Sequence, residues 1–228
     1  MGRSDQYPRR ARRHRRGRLR RVPGAGRQRV RLGASGIRCR ASPSRAVRGL
    51  TLGAERKREM SELVLNRLEM TRLELLEEVR GLPLETLEAP RPGGGWSVLE
   101  NLEHLAALEG AVAQGLSAAL AGPERSDLRR APLELVKDRS RLVDAPAHVQ
   151  PAGRIHTAAE AEQALADVRR RLLEAIAADY GTERMETRGF EHPLFGPMSA
   201  AQWVELVPLH EARHLEQIRD TLRRLQDQ

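Results

Sequence analysis

The sequence predicts an all-α protein: a four-helix bundle with a long crossover connection between its second and third helices, preceded by a disordered basic tail. Three observations carry this reading. Aromatic residues make up only 3% of the chain while Leu, Ala and Val are abundant, which favours helices over a sandwich or barrel. Four stretches place apolar residues at three- and four-residue spacing, each bounded by a start or stop signal. The charge is also split. Residues 1–59 hold 20 Lys and Arg against 3 acids, net +17, whereas residues 60–228 hold 20 against 28, net −8. The overall +9 is the sum of the two, and its positive sign comes from the first quarter alone.

Residues 1–59 include RRARRHRRGRLRR and GASGIRCRASPSRAVRG. No apolar period survives there, and such a segment cannot bury enough surface to offset its ordering entropy. Arginine runs bind phosphates without sequence preference, so a nucleic-acid arm is one reading, limited to non-specific contacts. The segment lacks the apolar core of a secretory signal. Met60 is followed at once by SELVLNRLEMTRLELLEEVR, a good amphipathic helix. Translation starting at Met60 would leave the tail outside the working protein. Cys39, the single cysteine, lies in the tail, which excludes a disulfide framework and suits a cytoplasmic protein. No apolar run approaches the roughly 20 residues of a membrane span.

The first helix is expected from about Ser61 to Arg80, with Leu65, Leu68, Leu75, Leu76 and Val79 as its stripe and Gly81 then Pro83 as its stop. A linker dense in Pro and Gly, LPLETLEAPRPGGG, follows. Ser97 with Glu100 three residues later forms a capping box for the second helix, which buries Leu105, Leu108, Val112 and Leu116 and ends at Gly122-Pro123. Residues 123–156 form the crossover, with APLELVKDRSRLV as a short helical candidate; a connection this long crosses the bundle or covers a site. Thr157 with Glu160 opens the third helix, whose stripe is Leu165, Val168, Leu172 and Ile176. A loop or short hairpin then carries Phe190 and Phe195, which could wall a pocket. Ser199 with Gln202 caps the fourth helix.

That last helix carries the chemistry. Trp203, Val207, His210, His214, Ile218, Thr221 and Leu225 form one stripe with two imidazoles in its middle. Side chains four apart on a helix sit roughly 6 Å apart at Cβ, near enough to hold one ion. The other face, Glu205, Glu211, Arg213, Glu216, Arg219, Asp220 and Arg223, is expected to meet water. His104, beside Leu105 on the second helix, is a third candidate ligand. His148 and His156 lie in irregular sequence and are expected to be exposed. Three imidazoles leave an ion with open positions, the catalytic arrangement, and Zn²⁺ or Ni²⁺ would suit them. Glu100 and Gln217, about one turn from His104 and His214, are candidates to steady imidazole N–H groups. The string HEARH also satisfies HExxH, with Glu211 as the general base of a zincin protease. Against it, Arg213 puts a charge beside the second histidine.

GGWSVLENLEHL, with Trp96, Ser97, Glu100 and His104, resembles the first motif of the DinB/YfiT-like superfamily, and WVELVPLHEARHLEQI resembles its last. The resemblance spans about residues 60–225. It implies a four-helix bundle, often a homodimer, with a divalent metal held at the positions of His104, His210 and His214. It also implies chemistry with low-molecular-weight thiols, as in bacillithiol S-transferases and mycothiol-dependent maleylpyruvate isomerases, acting on a small-molecule substrate. The competing expectation is a non-catalytic metal-binding or structural bundle.

Overall fold

The computed structural model describes residues 45–140 and 144–227, with side chains from Glu59 onward. The basic stretch of residues 1–44, Cys39 included, lies outside the described residues. Four long helices account for most of the rest: α1 (Arg45–Val79), α3 (Val98–Ala121), α4 (Ala158–Ile176) and α6 (Ala200–Gln226). Short helices α2 (Leu84–Glu88) and α5 (Arg184–Thr187) and a hairpin of β1 (Gly189–His192) and β2 (Gly196–Ser199) complete the order. No helix among the described residues is long and apolar enough to cross a membrane.

Two boundaries differ from expectation. α1 begins at Arg45, so residues 45–59, assigned to the disordered tail, are helical. Once a helix is nucleated, each added residue gains a hydrogen bond, so this extension needs no apolar stripe of its own. The supposed linker contains α2, whose Leu87 is buried. Beyond α2, Gly93, Gly94 and Gly95 all take positive φ (84°, 91° and 107°), a run that glycine adopts without a Cβ penalty. This turn delivers Trp96 to the start of α3.

The caps follow the sequence closely. Ser97 Oγ accepts from the Glu100 amide and the Glu100 carboxylate accepts from the Ser97 amide. Thr157 and Ser199 accept from the amides of Glu160 and Gln202. α3 packs along α4 and α1 along α6, while α3 also meets α6. The crossover contains two short 3-10 turns, Leu133–Lys137 and Ala147–Val149, the first resting on α6.

The apolar core falls into two halves. One gathers Leu68 of α1, Val112 and Leu116 of α3, Leu172 of α4 and Val207 of α6. The other gathers Leu75, Leu102, Leu105, Leu165, Leu215 and Ile218. Each fully buried leucine contributes about 1.5–3 kcal/mol relative to exposure. Between the halves each long helix supplies one buried or mostly buried charge: Arg72, Glu109, Arg169 and Glu211. Glu211, expected on the solvent face, is 2% exposed. Its spacing of four from Val207 and Leu215 places it on the inward face toward α1, and two arginines supply the partners that a buried carboxylate requires.

Candidate metal centre

His210 and His214 stand one turn apart on α6, with ring centroids separated by 4.5 Å. His104 reaches them from α3, its ring 5.2 Å from His210 and 4.7 Å from His214. Each histidine offers one ligand atom, and the three atoms lie within 4.8 Å of one another. The sequence-nominated triad therefore converges.

Hydrogen bonds fix two of the tautomers. The His104 Nδ1–H donates to the Val149 carbonyl at 2.7 Å. His214 Nδ1 lies 2.8 Å from Asn101 Oδ1. The Asn101 amide nitrogen donates to the Ser97 carbonyl, so Oδ1 faces the ring and His214 must be the donor. Both rings consequently turn an Nε2 lone pair inward. His210 Nε2 lies 3.5 Å from His104 Nε2, and His210 Nδ1 is buried without a hydrogen-bond partner. Three ring nitrogens, one from each histidine, gathered within 4.8 Å of one another are a donor set that a divalent cation would suit.

Burial disfavours the charged imidazole. It pushes His210 down to about 3, with the neighbouring charges of His104, Arg213 and His192 acting in the same direction. His214 is held well below the ordinary range by burial and by His210 and His104. Burial also lowers His104, partly opposed by its bond to Val149. The folded site thus keeps His210 and His214 neutral and ligand-competent well below pH 6.5, and shifts His104 in the same direction.

Neither nominated steadying residue touches an imidazole through a hydrogen bond. Glu100 caps α3 through the Ser97 amide at 2.7 Å, so the capping box explains it fully. Gln217 is half-buried, one turn beyond His214, and its carbonyl accepts from Thr221. The roles fall instead to Asn101 and to the Val149 carbonyl. The signal for Asn101 is that it is the one uncharged polar residue besides the histidine in the largely apolar stretch Val98–Ala106; a backbone carbonyl from the crossover leaves no trace in side-chain pattern. His148 and His156 are exposed on the crossover, as expected.

Two aromatic groups frame the triad. Trp96 lies 4.7 Å from His104 and stacks on His214 at 6.0 Å. His192, overlooked in the sequence, sits on the hairpin against Phe195 (4.7 Å) and Trp203 (5.1 Å). Its Nδ1 accepts from the amides of Leu194 and Phe195, leaving the proton on Nε2, and burial holds it down to about 4. Phe190 stacks on Trp203 at 4.2 Å and packs so closely that a Cβ on Gly115 would come 2.5 Å from its ring. It packs, partly buried, against the core.

Glu211 cannot serve as a zincin base here. Its carboxylate accepts from Arg72 Nε at 2.6 Å, Thr71 Oγ1 at 2.5 Å and Arg169 Nη2 at 3.3 Å. One residue along a helix turns the side chain by about 100°, so Glu211 points to α1 and α4 while His210 points to α3.

Residues 67–218 match the DinB superfamily. The chain belongs to the DinB superfamily. An uncharacterized protein of Bacillus subtilis (strain 168), YuaE, is 31% identical over 149 residues, covering 65% of this chain and 91% of that protein. The crystal structure of TT2238, a four-helix bundle protein, is 24% identical with a TM-score of 0.46, covering 70% of this chain and 98% of that one. The matched span of this DinB-superfamily chain contains all three histidines, Asn101 and Val149.

Proposed function

We propose that this DinB-superfamily protein is a metal-dependent enzyme that holds one Zn²⁺ or Ni²⁺ through His104, His210 and His214. The observation that carries the reading is the ligand set: three neutral imidazoles converge, and among the described residues no carboxylate or thiol joins the group. An ion held by three protein ligands keeps a position for water or a thiolate and lowers the pKa of what it binds. The chain's own part is to orient the rings through Asn101 and Val149 and to limit water with Trp96 and the crossover. Low-molecular-weight thiol S-transfer, or related transferase or hydrolase chemistry on a small molecule, fits that open position and requires no protein cysteine. Residues 60–228 contain none.

The test is elemental analysis of protein purified without an affinity tag, followed by thiol-transfer assays on the loaded protein. One equivalent of metal with thiol-dependent turnover supports the reading. Full occupancy with silence across thiols and hydrolysable substrates would leave a non-catalytic metal-binding bundle. The same proposal includes a cytoplasmic homodimer, supported by exposed Met60, Leu63, Met70 and Leu73 on α1. A monomeric mass by sedimentation at tens of micromolar would remove the dimer.

A further inference from the structure

We propose that Glu103 is a positioning residue for this centre: its carboxylate clamps the crossover at residues 152–154 so that the Val149 carbonyl holds the His104 ring. The inference rests on the metal reading above and extends it to a residue that touches neither ion nor imidazole.

Glu103 occupies a place where a bundle helix would bury an apolar side chain, and it is 4% exposed. Burying a carboxylate is costly unless its oxygens are satisfied. They are satisfied by backbone. The amides of Ala152 (3.0 Å), Gly153 (3.0 Å) and Arg154 (3.3 Å) all donate to it, and Arg154 Nε adds a fourth bond at 3.0 Å. Consecutive amides converge on one anion only when the backbone curls into a concave nest. Gly153, at φ +67°, supplies that curl. The Arg154 side chain is 62% exposed, so the backbone amides dominate.

Val149 lies just upstream of this nest, 1% exposed, with its carbonyl on His104 Nδ1. Adjacent residues of α3 thus grip one segment twice, Glu103 at 152–154 and His104 at 149. The other hydrogen bonds of that turn are local: the Val149 amide to the Pro146 carbonyl, the Gln150 amide to the Ala147 carbonyl and the Gln150 side chain to the Ala145 carbonyl. They shape the turn without tying it to α3. Among the described residues Glu103 and His104 do that by hydrogen bonds, so loosening the first leaves the second ring with a wandering partner. Groups that orient a ligand from behind typically change metal affinity roughly 10–100-fold.

The test titrates metal-free protein with Co²⁺, whose visible absorption reports coordination, and measures Zn²⁺ affinity against a chelator. Glu103→Gln should weaken binding about 10–100-fold and alter the Co²⁺ spectrum, while Glu103→Asp, which keeps the charge, should recover part of both. Linkage makes the coupling reciprocal, so metal should slow amide exchange at residues 152–154 in the wild-type protein. That measurement decides the matter even if Glu103→Gln fails to fold. Unchanged affinity in Glu103→Gln, or exchange at 152–154 indifferent to metal, with His104→Ala losing the ion, would overturn the clamp and leave the metal reading standing. Wild-type affinity in His104→Ala, His210→Ala and His214→Ala would remove the metal reading and the clamp with it.

Discussion

Two buried polar clusters lie one residue apart on α6 and could hardly differ more. Glu211 joins Arg72, Glu109 and Arg169 in a ring in which every charge is matched. Arg72 spans Glu109 and Glu211 at 2.6 Å each, and Arg169 meets Glu109 at 2.5 Å and Glu211 at 3.3 Å. The leftover guanidinium N–H groups donate to the Leu165 and Leu68 carbonyls. His210 joins two imidazoles, its Nε2 lying 3.5 Å from that of His104, and its own Nδ1 is orphaned. A buried cluster that completes itself is structure, tying four helices at one level. A buried cluster that stays incomplete is a site, because its missing partner must come from outside.

The contrast breaks most sharply at Arg72. Arg72→Met leaves Glu109 and Glu211 buried with one partner fewer, and should cost about 3–5 kcal/mol in denaturant unfolding. Metal stoichiometry should be retained under conditions where the variant is folded. Loss of metal without loss of stability would show that the two clusters are not separate.

Acid should act through the histidines. Their folded-state values lie below the unperturbed 6.5, about 3 for His210, so between those limits the unfolded chain binds protons that the folded chain refuses. Stability of the metal-free protein should be full above pH 6.5. It should fall as pH drops below that, with His210 alone contributing roughly 1.4 kcal/mol per pH unit down to about pH 3. Urea midpoints across that range check the slope, and His210→Leu should flatten it by one histidine's share. The same variant should raise the stability of the metal-free protein by about 1–3 kcal/mol, because it removes an unsatisfied buried group.

Smaller effects sharpen the picture. Asn101→Ala should weaken Zn²⁺ binding roughly 10–100-fold, since His214 loses its hydrogen-bond partner; chelator competition reads this. His148→Ala and His156→Ala should change neither affinity nor stability beyond about 0.5 kcal/mol, as both side chains are exposed surface positions.

Most of the bundle was legible because its signals are local. Ser97 with Glu100, Thr157 and Ser199 announce helix starts within three residues, and the stripes of α3, α4 and α6 need only a period. The three histidines were legible for the same reason: they stand on core-facing stripes. What escaped depends on partners distant in sequence. Glu211 reads as a solvent-facing charge until Arg72 and Arg169 arrive from α1 and α4 to neutralise it. Glu100 reads as a helper of His104 until its carboxylate is seen on the Ser97 amide. The length of the crossover hints at a cover, but the Val149 carbonyl and the amides of residues 152–154 carry no side-chain signature, so the sequence does not mark which of its groups reach the site.

The most direct test is a calorimetric titration of metal-free protein with Zn²⁺, wild type beside His214→Ala. The account expects one saturable ion per wild-type chain and loss of that binding in the variant, with both proteins folded by circular dichroism. An absence of saturable binding in the wild type, or a full equivalent bound at wild-type affinity by His214→Ala, would contradict it.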